Sequence, residues 1–265
     1  MSSNWTVFAA DELRTNVVGH AVRFFPSIGS TNDLLKDAAR TGTAEGTVYV
    51  ADEQTAGRGR RGRSWHAPAG SSLLISTLFR PTWLPAGDAF LLTIIAAVAV
   101  AEAIEDVTHL SIDLKWPNDV YVRGRKLGGL LVESEISDTR LHWAIIGCGI
   151  NVNWDPAAIP DLTNNATSIS AELGAPFERR QLLRALLLRL DQRYTHLRQG
   201  ARSALFETWR RRLVTLGQAV RADTPHGALY GLATDVTPDG ALLILDQTGV
   251  QHTVAAGDVS IRAYE

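Results

Sequence analysis

From Gln54 to Trp65 the chain reads Gln54-Thr55-Ala56-Gly57-Arg58-Gly59-Arg60-Arg61-Gly62-Arg63-Ser64-Trp65, four arginines threaded through three glycines and closed by a tryptophan. Glycine permits positive φ and close backbone approach, so consecutive N–H groups can converge on one ligand, while guanidinium forks give planar, bidentate contacts to carboxylate or phosphate. The segment is suited to holding an anion, with a nucleotide or an acyl phosphate the first expectation. The 265-residue chain as a whole carries a formal net charge of −2, so the arginines are a local concentration and bulk nucleic-acid binding is not indicated.

Three further segments carry chemistry. In Lys115-Trp116-Pro117-Asn118-Asp119, proline fixes a turn that aims Asn118 and Asp119 beyond a strand end, although a purely structural turn has the same appearance. In Arg125-Lys126-Leu127-Gly128-Gly129, a lysine stands just before a glycine pair opening an apolar strand; a solvated hairpin lysine is the alternative, but glycine inside a strand marks close approach by a ligand or another backbone. Gly147-Cys148-Gly149-Ile150-Asn151-Val152-Asn153 again sets glycines in an apolar strand, with Asn151 and Asn153 facing one way, either toward phosphate oxygens and metal-bound water or as strand-end turn formers. Cys148 has no histidine or acid in its motif to activate it and reads as a small buried hydrophobe. None of the seven histidines has metal-ligand spacing to another or to Cys148, so no structural zinc site is expected. Neither a Walker G-x-x-x-x-G-K-[ST] nor a strand-turn-helix G-x-G-x-x-G is present.

These residues need elements to hold them. Ser30 before Thr31-Asn32-Asp33, with Leu34, Leu35, Ala38 and Ala39 at helical spacing, predicts a helix from about Thr31. Strands over Thr47 to Ala51 and Ser72 to Phe79 flank the arginine loop. Asp88 to Glu105 reads as a helix containing the uncharged run Ala89 to Ala101, which is shorter than the roughly 20 residues of a membrane span and reads as buried. Ile112 to Trp116, Val120 to Val122, Leu127 to Glu135 and His142 to Val152 read as strands, and Trp154 to Ser168, rich in Pro, Asp and Asn, as a mobile loop. Arg179 to Leu197 and Ala201 to Leu213 are amphipathic helices. Beyond Gly217 short strands follow, Gln218 to Ala222, Ala228 to Val236, Ala241 to Asp246 and Val250 to Ala255, with a turn at Pro238-Asp239-Gly240. The expectation is an α+β fold, a mixed, mainly antiparallel sheet with packed helices over residues 1–214, followed by a small β-barrel over 215–265. A 45% apolar composition suits a large core, and the single cysteine suits a reducing compartment, with the cytoplasm as the default. Asp11, Glu12 and Arg14 interrupt the apolar core an export signal would need.

Taken together, Ser30-Thr31-Asn32, the Gln54 to Trp65 segment, Lys115 to Asp119, Arg125 to Gly129 and Gly149-Ile150-Asn151 stand in the order and approximate spacing of the biotin–protein ligases, also called biotin–[acetyl-CoA-carboxylase] ligases, and the chain resembles that family throughout its catalytic and C-terminal parts. The resemblance implies a biotin/lipoate ligase-like catalytic domain with an SH3-like barrel behind it. It implies two half-reactions: biotin and ATP give biotinoyl-5′-AMP and pyrophosphate, and biotin then passes to one lysine of a biotin carboxyl carrier domain of an acyl-CoA or pyruvate carboxylase. By residue, it implies that Ser30, Thr31, Asn32 and Gln54 serve the biotin head group, that Arg58, Gly59 and Arg60 fold over the carboxylate and phosphate, that Gly128 and Gly129 make room for biotin, and that Lys126 and Arg60 are catalytic. Arg58, Arg60, Arg61, Trp65, Asn118, Asp119 and Asn151 are expected at the adenylate, with Mg2+ near Asp119, directly or through water.

Some members carry an N-terminal helix-turn-helix domain; the stretch before Ser30 is too short for a three-helix DNA reader, so a monofunctional ligase without nucleic acid or membrane partners, monomeric or weakly dimeric, is expected. The competing enzyme is a lipoate or octanoate ligase or transferase, whose apolar substrates would not need the polar set at Ser30 to Asn32 and Gln54. The arginine and Trp154 to Ser168 loops are expected to order on ligand binding, because a cation-rich loop repels itself until an anion arrives.

Overall fold

The computed structural model describes residues 13–156, 165–224, 227–255 and 257–261. The first seven strands, β1 (Ala21–Phe25), β2 (Thr47–Ala51), β3 (Ser72–Phe79), β4 (Asp113–Lys115), β5 (Asp119–Val122), β6 (Arg125–Ser137) and β7 (Arg140–Asn151), form one sheet in the order β1-β2-β3-β7-β6-β5-β4. Only β1 and β2 pair in parallel; every other neighbour is antiparallel. The helices among the described residues are α1 (Thr31–Arg40), α2 (Phe90–Thr108), α3 (Ile169–Leu173), α4 (Arg179–Arg198) and α5 (Arg202–Arg210).

Strand alternation divides the core between the two faces of this sheet. On one face Tyr49, Leu78, Trp143 and Ile145 receive Leu35 and Ala39 of α1, whose start is fixed where expected by Ser30 accepting a bond from the Asp33 N–H at 3.4 Å. On the other face Val48, Val50, Ile75, Phe79, Ala144 and Ile146 pack with α2 and α4. By length and composition alone α2 could cross a membrane; most of it is enclosed by protein, which explains why it is apolar all round. Between the sheets, the chain before the C-terminal strands runs beside β4: Leu114 donates to Arg212 O and accepts from the Val214 N–H, both at 2.9 Å.

The last five strands, β8 (Ala219–Thr224), β9 (Gly227–Val236), β10 (Leu242–Leu245), β11 (Gln251–Val254) and β12 (Asp258–Ile261), form an antiparallel sheet in the order β11-β10-β9-β8-β12. The expected closed barrel is not seen in the ladder: among the described residues β11 and β12 are unpaired edges. The sheet is nevertheless curled. Laid flat, five strands separate their edges by about 19 Å, whereas the four residue steps from Val254 to Asp258 reach at most about 14 Å. Buried Trp116 ties this sheet to the first, its Nε1–H donating to Gly240 O and its backbone N–H to Thr215 Oγ1, each at 2.9 Å.

Three elements escaped the sequence reading. β1 is an edge of five residues with none fully buried, β12 is four residues at the far end, and α3 is a short helix just after the expected loop, capped by Ser168. Of that loop, residues 157–164 lie outside the described residues, as do residues 1–12 with Asp11 and Glu12.

Candidate active site

The α1 face of the first sheet carries a cavity of about 500 Å³, and the pairing register explains its floor. Lys115 lies opposite Asp119, Asp119 opposite Gly129, and Gly129 opposite Gly149, so one row of residues crosses four strands on one face. The next row places Ser76, Gly147 and Leu131 side by side. The glycines leave room that neighbours use: a Cβ on Gly147 would stand 2.3 Å from Asn32 Oδ1, and one on Gly149 would stand 2.7 Å from the Trp65 ring. Cys148, between them, turns toward the opposite core, and burial pushes its thiol up to about 12.

A bulge brings Lys126 to this face. Val120 pairs with Gly128 but Tyr121 with Lys126, leaving Leu127 as the extra residue on β6. Lys126 Nζ thereby reaches Asp119 Oδ1 at 2.7 Å and lies 5.8 Å from the Trp65 ring centroid. Its backbone is held as well, donating to Asn165 O and accepting from the Thr167 N–H, both at 2.9 Å.

At the α1 end the polar groups are satisfied by one another. Gln54 Oε1 accepts from the Thr31 N–H at 2.7 Å and from Thr31 Oγ1 at 2.9 Å; Ser76 Oγ lies 2.7 Å from Thr31 Oγ1 and donates to Asn32 Oδ1. Asn32 Nδ2 donates to Leu131 O at 3.3 Å and Glu133 Oε2 at 3.0 Å. Such a buried, preorganised set suits a ligand whose own polar edge carries both donors and acceptors.

The arginine loop is built around anions the protein itself supplies. Arg58 binds both oxygens of Asp33 and both of Glu133, and Lys36 adds a 3.0 Å contact to Glu133. Burial alone would raise Glu133, but the bonds from Asn32, Lys36 and Arg58 outweigh it and hold the carboxyl below its usual range. Gly59 N–H donates to Arg63 O at 2.7 Å and Trp65 N–H to Gly57 O at 2.9 Å; Arg60 Nη1 reaches Asn118 Oδ1 at 3.3 Å, and Arg61 Nη1 reaches Asp223 O of β8 at 3.4 Å. Asp33 and Glu133 thus set counter-charge against Arg58, offsetting part of the repulsion on which the expectation of a ligand-ordered loop rested.

Of the expected residues, Ser30, Thr31, Asn32, Gln54, Arg58, Gly59, Arg60, Trp65, Asn118, Asp119, Lys126 and Gly129 line the cavity. Three stand elsewhere. Gly128 faces the backbone of β7, where a Cβ would stand 2.8 Å from Gly149 O. Asn151 is buried behind the floor and donates to Thr167 O at 3.0 Å, and Arg61 turns to the C-terminal sheet. Sequence reasoning assigned no individual role to Lys115, Tyr121, Arg63, Ser76, Gly147, Glu133, Arg221 or Asp223; Arg63, Lys115 and Gly147 stood inside the quoted motifs, whereas nothing local marked Arg221. Lys115 Nζ is 3.4 Å from Tyr121 Oη, and burial lowers the lysine and, with Asp119, pushes the tyrosine up to about 12.

Comparison with known proteins bears on what this cavity holds. Residues 24–151 match the Biotin/lipoate A/B protein ligase family and residues 215–262 the Biotin protein ligase C terminal domain. The chain is 36% identical over 237 residues to the biotin–[acetyl-CoA-carboxylase] ligase of Mycobacterium tuberculosis, covering 87% of this chain and 85% of that one. It is 35% identical over 245 residues to the bifunctional ligase/repressor BirA of Bacillus subtilis, covering 92% and 75%. Among solved structures, the biotin protein ligase of Aquifex aeolicus in complex with biotin and ATP superposes with a TM-score of 0.78 at 28% identity, over 92% of this chain and 99% of that one.

Proposed function

The chain belongs to the biotin/lipoate A/B protein ligase family as a biotin protein ligase, and from that premise and the cavity we infer an ATP-dependent enzyme that joins biotin to protein. The observation that carries the reading is the closed polar set of Thr31, Asn32, Gln54 and Ser76 at one end of a cavity whose other end holds Lys126, Asp119 and the arginine loop.

The first half-reaction brings a carboxylate to a phosphate, two anions that repel. Thr31, Asn32 and Gln54 take the ureido ring, with Ser30 capping the helix that presents Thr31 and Asn32, and Gly147 leaves the space that Asn32 occupies. A biotin carboxylate oxygen attacks the α-phosphorus of ATP, forming the acyl–phosphate bond, while the bond to the bridging oxygen breaks and its electron pair leaves with pyrophosphate. Arg58, Arg60 and Lys126 neutralise the reacting oxygens and hold the two groups in line, which is where most of the acceleration of such a step comes from. Lys126 exchanges its contact with Asp119 for the new acyl phosphate, and Trp65 offers a ring face to the adenylate. In the second half-reaction the amine of a carrier-domain lysine attacks the acyl carbon, AMP departs, and the amine loses a proton.

Magnesium is expected for ATP use. Among the described residues no three His, Cys, Asp or Glu side chains cluster as a metal cage, so the ion suits arrival on the nucleotide, with Asp119 positioned to take one of its waters. The acceptor is a biotin carboxyl carrier domain of a carboxylase, and the setting is the cytoplasm. The division near 214/215, supported by the C-terminal match from residue 215, and an SH3-like curl of the last five strands complete the reading. The lipoate or octanoate alternative is less favoured: a thiol transferase needs an accessible thiolate, and Cys148 is buried and protonated.

Pyrophosphate exchange into ATP, run with biotin, lipoate, octanoate and no acid, tests this. Exchange with biotin alone is expected; exchange with lipoate or octanoate instead would move the protein to the sister activity.

A further inference from the structure

Lys126 stands next to an irregularity. At the Leu127 bulge the ladder to β5 is locally disrupted, so β5 alone holds the lysine less firmly than its neighbours on β6 are held. The missing support comes from the stretch that leads into α3. Lys126 N–H donates to Asn165 O and its carbonyl accepts from the Thr167 N–H, so residues 165–167 run beside it as a short parallel bridge.

One carboxylate ties that stretch to the tip of the β5–β6 hairpin. Glu172, in α3, keeps none of its side chain exposed. Its Oε1 accepts from Arg125 Nη2 and from Thr167 Oγ1, both at 2.7 Å, and its Oε2 accepts from Arg123 Nη1 at 3.2 Å. Arg123 and Gly124 form the turn itself, with φ of 48° and 76°, so the two arginines flank the tip and converge on the same acid. Thr167 is fixed from behind as well, its carbonyl accepting from Asn151 Nδ2 at 3.0 Å. Contacts therefore run from Glu172 to Lys126 by two routes, through its chain neighbour Arg125 and through Thr167.

As a source of stability this cluster is poor. Taking a carboxylate out of water is costly, whereas Arg123 and Arg125 leave 68% and 43% of their side chains exposed and gain little from pairing. What a buried charge does well is select one alignment, because any other strands it without partners. The same exposure means that removing the acid leaves no buried, unpaired cation.

We propose that Glu172 is the positioning residue for Lys126: by gathering Arg123, Arg125 and Thr167 it pins the hairpin so that the lysine is presented to the acyl phosphate. This deepens the ligase reading above and rests on it. Glu172 does not line the cavity, and the polar set of Thr31, Asn32, Gln54 and Ser76 makes no contact with it, so its influence on the reaction passes through Lys126. Its loss should lower turnover rather than affinity.

The test is a double-mutant cycle of Glu172→Gln and Lys126→Ala, read by biotin-dependent pyrophosphate exchange, with a melting curve for each protein. Glu172→Gln keeps the side-chain volume. It is expected to lower kcat by about 10- to 100-fold, the scale on which a catalytic group displaced by about 1 Å loses rate, with KM for biotin and ATP within about twofold of wild type. In the Lys126→Ala background the same substitution should change the residual kcat by less than about twofold, since the group it positions is gone. If Glu172→Gln melts below the assay temperature, Arg125→Gln enters the cycle from the half-exposed side of the same contact, with a loss of about threefold expected that again vanishes without Lys126. Equal losses in both backgrounds, a wild-type kcat, or a loss confined to KM would overturn the assignment. Failure of the wild type to exchange with biotin would instead sink the ligase reading, so the two failures are told apart.

Discussion

Replacing Gly147 by alanine puts the floor of the cavity to a direct test. The new methyl would lie 2.3 Å from Asn32 Oδ1, 3.0 Å from its Cγ and 3.1 Å from its Nδ2, whereas ordinary contact begins near 3.4 Å. Asn32 must therefore withdraw by about 1 Å. Its bonds to Leu131 O at 3.3 Å and Glu133 Oε2 at 3.0 Å then stretch beyond hydrogen-bonding range, and its partnership with Ser76 is broken. Leaving such a buried polar group unpaired costs about 1–3 kcal/mol, so biotin affinity should fall by about 5- to 150-fold while ATP binding changes little. Titration calorimetry for each ligand, with a melting curve to monitor the fold, measures this. A second variant controls for simple misfolding. In Asn32→Ala the amide is already gone, so adding Gly147→Ala should weaken biotin binding little further, a non-additivity expected only of residues in contact. Wild-type biotin affinity in Gly147→Ala, or full additivity in the double variant, would refute the argument.

Three other outcomes follow from the same geometry. Lys126→Ala should melt near the wild-type temperature yet lose about 100- to 1000-fold in biotin-dependent exchange, the scale of removing one preorganised charge at a reacting oxygen; near-normal exchange would remove it from the chemistry. Gly149→Ala should displace the Trp65 ring, which a Cβ would approach to 2.7 Å, and weaken adenylate binding more than biotin binding, as read by calorimetry with each ligand. Arg189 holds Asp106, and Arg210 holds Asp235, below the usual carboxylate range. A depressed folded value means stability present at neutral pH and lost as pH falls through about 4 toward the folded value; urea midpoints should decline over that interval, and less steeply in Asp106→Asn and Asp235→Asn.

How much of this was legible in the sequence depended on whether the signal was local. Ser30 announces α1 because an N-cap is written within four residues, and β3 and β7 are long enough to show their apolar runs. The arginine loop declared its preference for anions, but not that Asp33 and Glu133 already satisfy Arg58, since those acids are 25 residues before it and 75 after it. Gly128 and Gly129 looked equivalent as a pair, and only pairing register separates the one facing β7 from the one facing the cavity. β1 needed its parallel partner to be recognised. Arg221 carried no mark at all, because its place in the cavity wall arises from where a second sheet is docked.

The bulge at Leu127 gives residue count a meaning separate from residue identity. Lys126 reaches the cavity because one residue more stands on β6 than on β5. Conservative exchanges at Arg125 or Leu127 leave that arithmetic intact, whereas deleting a single residue between Val122 and Gly128, even one of no chemical consequence, would turn the lysine into the opposite core. Libraries built to alter acid or nucleotide preference in this scaffold should therefore hold the length of the β5–β6 hairpin constant and leave Asp119, Arg123, Arg125, Lys126, Gly129 and Glu133 in place while varying its other side chains.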